Sequence, residues 1–161
     1  MRSAAVTSIT RFPDWPFRLD SYLSSVLHTP FSYGLFDCCT FVADAILAMT
    51  GTDLAAPFRP CAHHAYRSRY TAFAVITSFL NRPVDTRDAL SSVVTVIADT
   101  HALPEIRTSH AGRGDLVLVR KPVGLSFGVG IVALSGVDVL IALDVGYGRV
   151  PLADVVRAWR I

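Results

Sequence analysis

The sequence predicts an α+β fold, with N-terminal helices packed on a C-terminal antiparallel sheet. Three observations lead there. Between Trp15 and Asp99 apolar residues recur at helical spacing, in windows separated by proline, glycine or polar stretches. From Leu116 onward the pattern changes to short runs of Val, Ile and Leu broken by glycine. The chain has 161 residues, 52% of them apolar and 17% charged, which excludes intrinsic disorder and describes one globular domain. A domain of this length buries roughly 70% of its unfolded surface and needs no metal or disulfide to fold. No internal repeat or low-complexity tract divides it. The expectation is a single domain over residues 1–161, with residues 1–12 as a flexible N-terminal arm.

The first helix is expected to start near Trp15, with Asp14 as cap and Pro16 tolerated in the first turn. Trp15, Leu19, Tyr22, Leu23, Val26 and Leu27 share one face, and His28-Thr29-Pro30 ends it. Phe31 to Gly34 reads as a short extended piece. The second helix is expected over Cys38–Met49, with Asp37 as N-cap and Gly51 as C-terminal stop. Residues 52–64 read as loop. A third helix is expected over Tyr70–Leu80 and a fourth over about Arg87–Asp99, capped by Asp85 or Thr86. Strands are expected over Leu116–Val119, Phe127–Leu134 and Val137–Leu143. Gly146-Tyr147-Gly148 reads as a turn before a short strand at Val150. The tail, Leu152–Ile161, reads as a short helix or a helix plus a strand. The strands are expected to form an antiparallel meander.

Composition narrows the function classes. The formal charge is +2, and the 15 cationic residues, all arginine except Lys121, are scattered. The densest cluster is Arg67 and Arg69. Nucleic-acid binding needs a concentrated basic face, so it is not expected. Three cysteines, Cys38, Cys39 and Cys61, do not make a disulfide framework. The N-terminal residues lack the apolar core of a secretory signal, so synthesis and folding in the cytosol are expected. Val123–Leu143 is long enough to span a bilayer, but it is rich in Val and Ile, holds Asp138, and has a turn signal at Ser135-Gly136. A buried hairpin is expected there, not a membrane span. No cofactor is expected.

The stretch from Phe31 to Ala43 holds the candidate chemistry. A cysteine at position 38 would sit at the N-terminus of a buried helix, where free amides and the helix dipole favour a thiolate. Spacing alone leaves two readings open: a nucleophile, or one more small buried residue. Asp37 either caps the helix or lines a pocket.

Tyr33-Gly34, Asp37-Cys38 and Phe41-Val42 together resemble the NlpC-like branch of papain-fold cell-wall peptidases. Arg113-Gly114-Asp115-Leu116-Val117 is similar to the strand that opens that family's sheet. Val129-Gly130-Ile131 is similar to the strand that carries its histidine. More narrowly, Phe12-Pro13-Asp14-Trp15 and Ala158-Trp159-Arg160-Ile161 resemble an uncharacterised family of small phage and prophage tail-associated proteins. The resemblance implies a papain-like, NlpC-like fold with Cys38 as nucleophile and Tyr33, Gly34 and Gly128 along the substrate groove. It implies other phage tail proteins as partners, peptidoglycan as the substrate class, and the virion tail as the location.

The chain departs from that family at Gly128, which falls on the histidine position and moves no proton. Losing a general acid costs ~10²–10⁴-fold. The expectation is therefore a tail component with impaired catalysis. The alternative is an active cysteine amidase that cuts stem peptides during phage entry, with Cys38 as nucleophile and a displaced histidine as base. His110 is the first candidate for that base, with Asp37 as a supporting acid, and His101, His63 and His64 follow. A weaker reading gives the vicinal pair Cys38-Cys39 a thiol-based binding or redox role. Cys61, His63 and His64 with Cys38 or Cys39 supply soft donors, but the paired Cys-x-x-Cys spacing is missing and no metal is expected.

Overall fold

A computed structural model of the chain describes residues 8–59, 66–120 and 127–161. It is α+β. Among the described residues four helices, α1 (Trp15–Val26), α2 (Cys38–Thr50), α3 (Arg69–Leu80) and α4 (Ala89–Thr100), precede all six strands. The strands are β1 (Glu105–Ile106), β2 (Leu116–Arg120), β3 (Phe127–Val132), β4 (Asp138–Ala142), β5 (Tyr147–Pro151) and β6 (Val155–Trp159). They form one antiparallel sheet in the order β1-β6-β2-β3-β4-β5. β2 to β5 are the expected meander. β6 is not its continuation: the chain returns across the sheet, and β6 inserts between β1 and β2. A short 3-10 turn at Leu152–Asp154 starts that return.

The local signals explain the helices. Asp37 caps α2 in a capping box with Thr40, and Gly51 closes the helix. Ser68 and Thr71 make the same reciprocal cap on α3. The expected caps of α1 and α4 are not used. Asp14 turns instead to Arg18 at 2.7 Å, and α4 starts two residues later than expected, behind Asp88. Asp85 accepts from the Arg87 amide in the preceding turn. Leu27 lies beyond the end of α1 and is exposed.

α2 is the central helix, with Phe41, Ala45, Ile46 and Met49 fully buried against α1 and the sheet. The sheet is apolar on both faces. Leu116, Leu118, Val129 and Ile131 face α2. Val117, Val119, Val132 and Val139 form a second cluster on the other face with Val155 and Ala158. That two-sided burial is why these strands read as continuous apolar runs without alternation. The expected hairpin turns at Ala133–Gly136 between β3 and β4. No helix among the described residues is long and apolar enough to cross a membrane.

The turn expected at Gly146-Tyr147-Gly148 lies at Leu143–Gly146, and Tyr147 is already paired with Ala142 in β5. Gly146 has φ +63°, and a Cβ there would collide with the Leu27 carbonyl. Its amide donates to the Thr29 carbonyl at 2.8 Å, and the Phe31 amide donates to Asp144. The segment that leads to Cys38 is thereby tied to the β4–β5 hairpin.

Arg11 and Phe12 do not belong to a flexible arm. The Phe12 amide donates to the Met49 carbonyl, and Arg11 pairs with Asp115 at 2.7 Å. Residues 1–7 of the expected arm lie outside the described residues. Asp115 is fully buried and also meets Arg160 at 3.3 Å and the Gly112 amide at 2.9 Å. One carboxylate thus joins the N-terminal segment, the start of β2 and the end of β6. Asp115→Ala is expected to destabilise the domain by about 3 kcal/mol, the low end for a broken buried pair because Arg160 stays half exposed and solvated. Urea unfolding of the two proteins checks this.

Candidate functional site

Asp37 is 2% exposed, and its two carboxylate oxygens accept from three backbone amides, the Tyr66 hydroxyl and, at 3.2 Å, the Thr40 hydroxyl. Oδ1 takes the amides of Cys39 and Thr40, both at 2.9 Å. Oδ2 takes the Gly34 amide at 2.8 Å and the Tyr66 hydroxyl at 2.7 Å. The Thr40 hydroxyl in turn accepts from the Asp37 amide. Asp37 fills both roles open to it: it caps α2 and it lines the cavity beside Cys38. Burial and the facing Asp37 carboxylate hold the Tyr66 hydroxyl well above the usual tyrosine range.

Gly34 makes this possible. Its φ is +80°, and a Cβ would lie 2.9 Å from the Tyr66 carbonyl. Gly34 therefore serves the turn beneath Tyr66, and it is not among the residues that line the cavity. Tyr33 lines the cavity beside Cys38 and packs edge-on against Phe31 with ring centroids 5.0 Å apart.

Cys38 is the first residue of α2 and is half-buried. Cys39 follows it, and the sulfur atoms and an Asp37 oxygen lie within 4.8 Å of one another. A hydrogen bond with Cys38 pushes the Cys39 thiol well above its ordinary range, with burial and the Asp37 charge adding to the shift. The thiol pair and carboxylate are an incomplete metal set. The oxygens of Asp37 are already occupied by N–H and O–H donors, and two thiols alone do not complete a tetrahedral shell.

Cys38 and Cys39 line a cavity of about 450 Å³ between α2, α3, α4 and the sheet. Its walls are apolar: Val42 from α2, Phe58 from the loop after it, Ile76 from α3, Val94 from α4, and Phe127 and Val129 from β3. Arg59 braces one wall. It pairs with Asp53 at 2.9 Å and with Asp44 on α2, and this holds the loop that carries Phe58 against the helix. The hydrogen bond from Arg59 lowers the Asp53 pKa.

The sequence-predicted residues do not all meet here. Gly128 is buried in β3, but strand alternation turns it to the face away from α2, while Phe127 and Val129 line the cavity. Its neighbour two residues on, Gly130, faces Val139 and Ile141 on that opposite face. Gly128 is not in the groove. His110 is exposed in a short turn, and its carbonyl accepts from Arg160. Arg160 meets Asp115, and the adjoining Gly114 packs on Met49 at the far end of α2. Eleven residues of helix separate Met49 from Cys38, about 16 Å. The structure does not bring His110 to the thiol. His101 caps the C-terminal end of α4 and does not line the cavity. Cys61, His63 and His64 lie outside the described residues. Among the described residues no histidine lines the cavity.

Tyr66 was not legible as a site residue, because its partner lies 29 positions away and no local pattern links them. The walls from α3 and α4 were legible only as ordinary helical stripes.

The family model described as Domain of unknown function (DUF6950) matches residues 10–161. The chain belongs to the DUF6950 family. That match includes every element of this DUF6950 fold, from the Arg11 anchor to β6. No curated protein and no solved structure matches the chain.

Asp37→Ala is expected to cost about 3–5 kcal/mol, because it removes the helix cap and strands the Tyr66 hydroxyl and the Gly34 amide. Tyr66→Phe is expected to cost about 1.5–3 kcal/mol, one hydrogen bond to a charged acceptor. Thermal unfolding monitored by circular dichroism orders the two variants. Because its pKa is raised, the Cys39 thiol stays protonated at pH 8. Iodoacetamide labelling mapped by mass spectrometry is expected to modify Cys39 far more slowly than a free model thiol, with the rate rising as the pH climbs past 9.

Proposed function

We propose that the chain is a phage or prophage tail component built on a papain-like scaffold of the NlpC type, and that it binds where its relatives in that fold cleave. The observation that carries this reading is the pairing across the cavity. Cys38 heads α2, as the resemblance implies for a nucleophile, yet the sheet presents Phe127 and Val129 to it. Neither side chain transfers a proton. The motif assignment of the histidine position to Gly128 leads to the same result, since glycine offers no imidazole.

Electrostatics point the same way. A cysteine nucleophile is activated by an adjacent base or a neighbouring cation. One group close to Cys38 is the Asp37 carboxylate, whose charge opposes a thiolate. The dipole of α2 favours a thiolate by only ~0.3–1 kcal/mol. Of the histidines open to the active-amidase reading, His110 lies at the other end of α2, His101 caps the far end of α4, and His63 and His64 lie outside the described residues.

A surface suits the tail role. Leu27, Leu35, Leu143 and Val145 are exposed where the segment before α2 meets the β4–β5 hairpin. Apolar residues grouped in this way are the core type of a subunit interface.

The wild-type chain and Cys38→Ala are expected to release muropeptides from purified peptidoglycan no faster than buffer. The chain is expected among the tail proteins when phage particles from its source are analysed by mass spectrometry. Release that depends on Cys38 would overturn the non-hydrolytic reading, and absence from the particles would overturn the tail assignment.

A further inference from the structure

The cavity beside Cys38 has two properties that together specify a ligand. Its lining is largely aliphatic and aromatic, and of its polar groups Asp37, Thr40 and Tyr66 are already engaged with one another. A peptide or a sugar placed inside would bury amides or hydroxyls without partners, each a costly loss. An aliphatic chain has nothing to leave unpaired. The volume, about 450 Å³, lies in the range of small-molecule sites.

The second property is charge. Two exposed cationic side chains line the cavity among the described residues, Arg69 at the start of α3 and Arg87 just before α4. The one carboxylate that lines it is Asp37, whose oxygens are saturated. Arg69 makes no hydrogen bond or ion pair among the described residues, and it is the cation open to a ligand; Arg87 is already engaged, in part with Asp85 at 4.0 Å. A guanidinium offers a planar fork of donors that fits a carboxylate or a phosphate.

We propose that the cavity binds a single linear aliphatic chain with an anionic head group, the tail lying between α2, α4 and β3 and the head held by Arg69. This rests on the reading of the Cys38 site as non-hydrolytic and names the class of molecule it holds. The head is a carboxylate or a phosphate, as in a free fatty acid or a monoacyl phospholipid.

Calorimetric titration of the full chain tests this, with octanoate, decanoate, laurate, dodecyl phosphate, dodecanol and dodecyltrimethylammonium, each below its micelle concentration. Affinity is expected to rise about fourfold per added methylene along the carboxylate series, the value of one buried CH₂. Laurate is expected to bind at least tenfold more tightly than dodecyltrimethylammonium. Arg69→Ala is expected to weaken laurate about tenfold and to leave dodecanol unchanged. Ala72→Trp, which puts an indole into the cavity from the half-buried face of α3, is expected to abolish binding of every chain. If that variant unfolds, the exposed Arg69 still decides. Tighter binding of laurate than of dodecyl phosphate assigns a free fatty acid and the reverse a monoacyl phospholipid, and both support the proposal. No binding by any of these ligands would overturn it, as would equal affinity for the cationic amphiphile. Cys38-dependent release of muropeptides with the chain-length series intact would overturn only the non-hydrolytic reading. No chain binding together with no release would overturn only the present inference.

Discussion

The carboxylate of Asp37 is the point through which three distant stretches of chain are brought together. It caps α2, holds the Gly34 turn that precedes the helix, and takes the hydroxyl of Tyr66 from beyond the following loop. With five donors on two oxygens the group is satisfied although it is buried, which is the condition for keeping a carboxylate out of water. It has no lone pair to spare for a metal or for proton transfer. The position of Cys38 and the mouth of the cavity follow from this arrangement, because the thiol is the next residue on the helix that Asp37 starts.

Packing differs on the two sides of α2. Toward α1 and the sheet the helix is sealed by Phe41, Ile46 and Met49, with Phe41 stacked on Tyr147 at 5.7 Å. Toward α3 and α4 the seal is incomplete. α3 is apolar nearly all round yet buries none of its residues fully, and its Phe79 meets Phe58 with ring centroids 4.6 Å apart. A close-packed interior tolerates few voids. The looser half of the molecule is therefore where a ligand gains most by entering, and the tight half is what keeps the site in shape.

The helices were legible because their punctuation is local. Asp37, Gly51 and the apolar stripes between them mark α2 within a residue. Asp14 and Asp85 misled, because a short acidic side chain before a helix has competing partners, here Arg18 and the amide of Arg87. The site was legible at Cys38 and not on the sheet. A strand shows alternate residues to opposite faces, and that separates Gly128 from Phe127 and Val129, which line the cavity. The Tyr66 contact and the place of β6 depend on pairings between remote segments, for which one sequence carries no local mark.

The place of β6 also bears on how the chain is made. A meander assembles hairpin by hairpin as it emerges from the ribosome, but this sheet keeps a gap between β1 and β2 until residue 159 has been synthesised. Until then both flanking strands show open edges and Asp115 lacks its Arg160 partner. Such non-local closure is slow and leaves strand edges available to other chains. The nascent protein therefore passes through an interval in which it is prone to join its neighbours. A chaperone, or a partner that covers those edges, would act in that interval.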